Sequence, residues 1–288
     1  MEHNISIILP AKDESEALKD LLPKLSDLYP EEQIIVVNDG SDDDTVEVCK
    51  ANGVEVVSHS YSMGNGAAIK SGARAAKGDI IVFMDADGQH DPGDIKHLLE
   101  KMAEGFDMVV GARDAASQAS IGRSLANTIY NKFAEFIVNH LVEDLTSGYR
   151  AVRTSKFREF LHLYPNGFSY PTTCTMAFFR SGYSVSYIPI KASKRIGNSH
   201  IRIVKDGIRF LLILFKVGTL YSPLKIFFPL SALSFTIGFS YYLYTYISIG
   251  RFTNMSALLF ITSVLIFLIG LVSEQITMLL YQRINGKQ

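Results

Sequence analysis

Residues 79–92 read DIIVFMDADGQHDP. Ile80 to Met84 form an unbroken apolar run of strand length, bounded by Asp79 and Asp85, and nothing in it alternates. Such a run suits a strand buried on both faces, as in a parallel sheet flanked by helices. Working outward, similar runs occupy residues 5–9, 33–37, 54–57 and 107–110, and helix-like patterns fill 14–28, 42–51, 66–77 and 94–104. The alternation predicts an α/β fold with a mostly parallel sheet between helices. Ligands of such sheets lie beyond the carboxyl ends of the strands, so chemistry is sought in the residues after each run.

The run at 79–84 leads into Asp85-Ala86-Asp87-Gly88-Gln89. Continued as extended chain, alternate residues share a side, which brings the oxygens of Asp85, Asp87 and Gln89 together. Hard oxygen donors without cysteine suit Mg²⁺ or Mn²⁺; an ordinary Asp-rich turn is the plain alternative. Asp91 and Pro92 read as the cap and first turn of the next helix.

After the run at 5–9 comes Pro10-Ala11-Lys12-Asp13-Glu14, in which Asp13, with Glu16 three residues on, reads as a capping box. After 33–37 comes Asn38-Asp39-Gly40-Ser41. Ser41 reads as a helix cap and Gly40 as the turn residue, which leaves Asp39 with no structural task and able to accept a nucleobase N–H. Gly64-Asn65-Gly66 lacks the third glycine of GxGxxG and follows the third strand, and GxxxxGK[ST] is absent, so a dinucleotide or P-loop site is disfavoured.

Composition changes at residue 222. The chain has 288 residues, 48% hydrophobic and 20% charged, with a formal net charge of −1. Residues 223–288 hold only five charges, Lys225, Arg251, Glu274, Arg283 and Lys287, for a net of +3, and the first 222 residues carry −4. Neither a disordered chain nor a nucleic-acid binder fits this balance. Cys49 and Cys174 lie far apart in no CxxC pattern, so neither a disulfide framework nor a thiolate zinc site is indicated and a reducing compartment is expected.

Residues 226–249 and 252–273 contain no charge. As helices each is roughly 33–36 Å long, enough to cross a bilayer. The expected organisation is a globular domain over 1–190, a basic amphipathic juxtamembrane segment over 191–222 and a two-helix transmembrane hairpin over 223–288. Lys216, Lys225, Arg283 and Lys287 outnumber the hairpin's Arg251, which places the domain and both termini on the cytoplasmic side. The first residues lack a signal-peptide pattern. Glu274 falls near the end of the second span and needs a polar partner if it lies deep. Short two-span tails also suit a homo-oligomer.

ILPAKDE, VVNDGSDDDT and GNGAAIKSGARAAKGDIIVFMDADGQHDP, in this order and spacing, resemble the family 2 glycosyltransferases of the Rossmann-like GT-A fold. Within them the chain is similar to the branch that makes polyprenyl-phosphate sugars, the dolichyl-phosphate mannose synthase and undecaprenyl-phosphate glycosyltransferase group. The resemblance implies transfer of a hexose from a UDP-sugar or GDP-mannose. It places Pro10, Ala11, Asp13, Glu14 and Asp39 around the nucleoside, with Asp13 standing where many relatives have Asn. Asp85 would face the nucleotide, and Asp87 with Gln89 would bind Mg²⁺ or Mn²⁺, Asp85 assisting. Arg113 is implied near the phosphates, and Arg123, Ser124 and Asn127 near an acceptor phosphate. Asp144 and Ser147 belong to DLTSGYR, which resembles the branch's DxxSGFR, and Arg195 to a basic segment that closes over the donor. Surface salt bridges for Arg113 and Arg123, and a cap for Asp144, are the plain readings.

A lipid-phosphate acceptor agrees with the chemistry. A sugar hydroxyl needs a general base, whereas a phosphate monoester arrives already anionic. Cations to hold it and a metal for the departing diphosphate then suffice. The QxxRW segment of hydroxyl-directed processive members is absent. A polyprenyl phosphate stays at headgroup height, which gives the membrane hairpin a purpose.

Overall fold

The structure is a computed structural model describing residues 4–113, 121–167, 169–191, 212, 215, 216 and 218–285, with 121–127 and 280–285 by backbone alone. The chain divides into two compact units, Met1–Phe136 with His140–Arg202, and Ile137–Asn139 with Ile203–Gln288.

The first unit is built on a seven-stranded sheet of order β3-β2-β1-β4-β6-β5-β7. Its parallel members are β1 (Ile5–Ala11), β2 (Gln33–Asn38), β3 (Glu55–Ser58), β4 (Ile80–Phe83), β5 (Met108–Arg113) and β7 (Val185–Ile190). Only β6 (Arg150–Arg153) runs antiparallel, against both β4 and β5. Helices α1 (Ser15–Leu28), α2 (Thr45–Ala51), α3 (Asn65–Ala75), α4 (Asp94–Ala103), α5 (Ile121–Val138), α6 (Thr154–Glu159) and α7 (Tyr170–Arg180) complete the unit.

The unbroken apolar runs have a plain cause. Ile7, Leu9 and Val36 pack with Leu18, Leu22 and Leu25 of α1 and Leu98 of α4, while Ile8 between them is equally buried. Ile8 and Val37 point toward α3, where a Cβ on Gly72 would lie 2.4 Å from Ile8 Cγ2. With both faces covered, no position on β1 or β2 is left for alternation.

Chain order runs outward from β1 to β2 and β3, then returns to β4 on the other side of β1. The register pairs Ala11 with Asn38 and Ile8 with Phe83. The loops after β1, β2 and β4 therefore open on one edge, at the point where strand order reverses and ligands of such sheets bind.

The second unit contains α8 (Pro223–Ile249) and α9 (Asn254–Asn285). Pro223–Ile249 and Asn254–Leu279 contain 18-residue stretches with mean hydropathies of 1.4 and 2.6 and are long enough to span a membrane. Small residues let the pair close. A Cβ on Gly238 would lie 2.9 Å from Leu259 Cβ, and one on Gly270 2.7 Å from Phe227 Cβ. Ser231 and Ser263 bond reciprocally, each hydroxyl donating to the other's carbonyl at 2.9 and 3.0 Å. Glu274 Oε2 accepts from the Leu224 amide at 3.2 Å, in the first turn of α8 where amides lack helical partners and a negative charge is favoured. The basic segment expected over 191–222 lies largely outside the described residues.

Candidate active site at the carboxyl edge of the sheet

Two neighbouring loops are stitched together across the first switch of the chain. The Asp13 amide donates to Ser41 Oγ at 3.0 Å, the Asp42 amide returns a bond to Asp13 Oδ1 at 2.9 Å, and the Ser15 amide donates to Asp43 Oδ2 at 2.9 Å. This corrects two local readings. Helix α1 begins at Ser15 with Glu14 at its cap position and no side-chain capping bond, so Asp13 is not its cap. Ser41 does not cap α2, which begins at Thr45. Asp13 instead takes a left-handed backbone, φ 55°, a conformation that only short polar residues and glycine adopt readily. The lacing fixes Pro10, Ala11 and Glu14 beside β2, with the Asp39 amide donating to Ala11 O at 2.9 Å.

Asp39 also has a structural task after all. It is 4% exposed. Oδ1 accepts from His59 Nδ1 at 2.7 Å and the Met63 amide at 2.8 Å; Oδ2 accepts from Ser62 Oγ at 2.9 Å and the Gly64 amide at 2.8 Å. Burial alone would raise its pKa, but these donors hold it below the ordinary carboxylate value. The Gly64-Asn65-Gly66 turn is likewise committed within the protein. The Gly66 amide donates to Gly167 O and the Ala67 amide to Asn166 O, at 3.2 and 3.1 Å. Those contacts engage the start of α3.

Past β4 the chain leaves the strand sooner than expected. The strand ends at Phe83, residues 86 and 87 lie in a turn, Gly88 has φ +73°, and the Gln89 amide donates to Asp87 Oδ1 at 3.2 Å. Asp85, Asp87, Gly88 and Gln89 are half-buried while Ala86 and His90 are buried. A turn, not pleat alternation, sorts them. His90 stacks on Tyr149 with ring centroids 4.7 Å apart, and Tyr149 Oη donates to Asp91 O at 3.0 Å. This brace ties the acidic turn to the segment before β6. A Cβ on Gly148 would lie 3.1 Å from Asp85 Oδ2, so the glycine permits that approach. Sequence reasoning missed His59, His90 and Gly148; only the neighbouring motifs flagged their segments.

The donor set fits a divalent cation. Two carboxylates and an amide supply hard oxygens, and among the described residues no group of three His, Cys, Asp or Glu side chains builds a full protein cage. Mg²⁺ in particular is commonly held by one or two carboxylates together with substrate phosphates.

Arg113 ends β5. Its Nε donates to Asp144 Oδ2 at 2.7 Å, and Nη2 donates to Asp144 Oδ1 at 2.9 Å and Thr146 Oγ1 at 2.6 Å. Asp144 also accepts the Thr146 and Ser147 amides, both at 3.1 Å. Desolvation works against both charges, yet the pairing wins: Asp144 is held below its ordinary pKa and Arg113 above its own. The Ser147 hydroxyl is buried and has no hydrogen-bond partner among the described residues. Arg150, fully buried at the head of β6, donates to Pro171 O and Thr175 Oγ1, at 3.0 and 3.1 Å, and to Ser147 O. The side chains of Arg123, Ser124 and Asn127, and all of Arg195, lie outside the described residues.

Comparison with known proteins agrees with this geometry. A model described as glycosyl transferase family 2 matches residues 6–161, and one described as GtrB C-terminal hairpin matches 222–279. CsbB of Bacillus subtilis, a glycosyltransferase by name, is 26% identical over 96% of this chain and 88% of its own. The polyprenol monophosphomannose synthase of Mycolicibacterium smegmatis is 26% identical over 66% of this chain and 77% of its own. In fold, the chain resembles glucosyl-3-phosphoglycerate synthase from Mycobacterium tuberculosis in complex with Mn²⁺, UDP-glucose and phosphoglyceric acid. The TM-score is 0.62 at 21% identity, covering 75% of this chain and 80% of that one. The matched hairpin and its two long apolar helices make this a membrane protein. Its sheet, its acidic edge and the match over 6–161 agree: the chain belongs to glycosyltransferase family 2.

Proposed function

We propose that the protein moves a hexose from a nucleotide sugar, a UDP-sugar or GDP-mannose, to a polyprenyl phosphate at the cytoplasmic face of the membrane, with inversion at the anomeric carbon. The observation that carries this reading is the meeting, on one sheet edge, of the Asp85–Gln89 turn with an arginine already gripped by Asp144. Arg113 spends Nε and both Nη2 hydrogens on Asp144 and Thr146. Among the described residues nothing takes the two Nη1 hydrogens, which are left for a phosphate. Asp144, engaged by Arg113 and by two amides, serves as an anchor, which suits an acceptor that needs no base.

In this mechanism an acceptor phosphate oxygen attacks the anomeric carbon as the bond to the nucleoside diphosphate breaks. The diphosphate leaves with the electron pair, and no proton has to move. Pro10, Ala11, Asp13, Glu14 and Asp39 form the nucleoside wall, and Asp85 faces the nucleotide. Asp87 and Gln89, with Asp85, hold Mg²⁺ or Mn²⁺, which when bound neutralises charge on the departing diphosphate. Arg123, Ser124, Asn127 and Ser147 complete the acceptor side, and Arg195 closes over the donor. The domain runs over 1–190, the basic segment over 191–222 and the hairpin over 223–288, with both termini cytoplasmic.

The test is formation of a radiolabelled, organic-extractable product by the full-length protein in polyprenyl-phosphate vesicles with each nucleotide sugar. Label appearing only on diacylglycerol or a glycan would replace the acceptor with a hydroxyl. No transfer to any acceptor would sink the reading.

A further inference from the structure

Asp39 has no acceptor site to spare. A carboxylate offers about four lone-pair positions, and here four donors fill them: His59 Nδ1, the Met63 amide, Ser62 Oγ and the Gly64 amide. The carboxylate is nearly buried, 6% exposed. If a nucleobase N–H is to bond to Asp39, one of these donors must leave.

Three of the four are fixed. The Met63 and Gly64 amides belong to the backbone that enters α3. The loop they sit in presses on Gly40, φ +66°, where a Cβ would lie 2.7 Å from the Ser62 nitrogen. The His59 ring, 8% exposed, is held from behind, its Nε2 2.8 Å from Ser71 Oγ on α3. With Nδ1–H donating to Asp39, Nε2 is left to accept from the Ser71 hydroxyl, a tautomer assigned from the hydrogen-bond network. Ser62 differs. The residue is exposed, and rotation about its Cα–Cβ bond alone turns the hydroxyl away from Asp39.

We propose that the Ser62 hydroxyl is a place-holder on Asp39, exchanged for the nucleobase N–H when the donor binds. His59 is the positioning residue that keeps the carboxylate turned so that Oδ2 is the oxygen exchanged. This rests on the nucleotide-sugar reading above and adds the means of base selection. Uracil and guanine carry an imide or lactam N–H that replaces the hydroxyl donor. Cytosine presents a lone pair at the equivalent ring nitrogen, which the carboxylate repels.

The experiment is calorimetric titration of the full-length protein in detergent with Mn²⁺, using UDP, GDP, CDP and the ring-N-methylated forms of UDP and GDP. Ser62→Ala should tighten the preferred nucleotide about tenfold or more, as loss of one competing hydrogen bond to a charged carboxylate would give. The KM of the matching nucleotide sugar should fall in step, with little change in kcat. The methylated analogue should bind poorly and gain nothing from the substitution. His59→Ala should weaken binding, and His59→Asn, whose amide can still donate to Asp39, should recover part of it. Weaker or unchanged binding in Ser62→Ala, or a methylated nucleotide that binds as well as its parent, would overturn the exchange while leaving the donor reading intact. If neither UDP nor GDP binds the unaltered protein, the donor reading fails and the exchange with it.

Discussion

The Arg113 guanidinium meets the Asp144 carboxylate in two near-parallel bonds of 2.7 and 2.9 Å, across 31 residues of sequence. Asp144 is 6% exposed and Arg113 29%. Breaking a pair of this kind from one side leaves a poorly solvated charge behind. Asp144→Asn should therefore lower stability by about 2 kcal/mol at neutral pH, discounted for the arginine's partial access to water. The carboxylate's pKa is lowered in the folded state, so its contribution is present above the unfolded value of about 4 and is lost as pH falls through the lower folded value. Thermal unfolding of the two proteins in detergent should differ at pH 7 and converge under acid. A gap that widens on acidification would contradict the pairing.

Removing the acidic turn's chemistry should separate binding from transfer. Asp87→Ala should reduce transfer by about two orders of magnitude or more, the scale at which electrostatic stabilisation of a leaving group is lost. It should also abolish the Mn²⁺ dependence of UDP affinity. EDTA should silence the unaltered protein and Mg²⁺ or Mn²⁺ restore it. Transfer indifferent to EDTA would exclude the metal.

How far these features could be read from sequence depends on how far each interaction reaches along the chain. Strands β1, β2 and β4 announce themselves because both faces are buried and, apart from Ser6 and the ends of β2, their residues are apolar. Strand β6 does not, since Arg-Ala-Val-Arg carries a cation at each end and Arg150 is satisfied partly by Pro171 and Thr175, 21 and 25 residues away. The same distinction explains the misread caps. Asp13 and Ser41 match the local pattern of helix starts, but their partners are each other's loops, 28 and 29 residues apart. Asp39 looked idle because its donors, His59 to Gly64, follow a whole helix and strand later. Motif spacing located the site's edge; the contacts within it come from the closure of those loops.

Gly66 tests the closure of α3 against residues 165–167. A Cβ there would lie 2.0 Å from Pro165 O and 2.8 Å from Gly167 O, both backbone atoms that cannot swing aside. Gly66→Ala should cost about 1–3 kcal/mol, the range for overpacking, and should weaken nucleotide binding through the displaced 62–64 loop. Gly167→Ala is the control, because among the described residues nothing lies within 4 Å of its added methyl and its φ is ordinary. Equal melting temperatures for Gly66→Ala and the unaltered protein would mean that the two segments do not meet as described.

The hairpin offers a contrast between hydrogen bonding and fit inside a membrane. Ser231 and Ser263 exchange hydroxyl–carbonyl bonds, yet such bonds between membrane helices average only about 0.6 kcal/mol, because the same groups find other partners when the helices are apart in the membrane. Replacing both serines with alanine should therefore cost about 1 kcal/mol. Gly270→Leu should do more harm, since even a Cβ there would lie 2.7 Å from Phe227 Cβ and the helices would have to part along that stretch. A cysteine pair at Ser234 and Leu259, which face each other across the hairpin, provides the readout by crosslinking in vesicles in the Gly270→Leu and the double-alanine backgrounds. Loss of that crosslink in the Gly270→Leu background, with retention in the double-alanine protein, would identify close backbone approach as what holds the hairpin shut. The reverse order would assign that role to the hydroxyls.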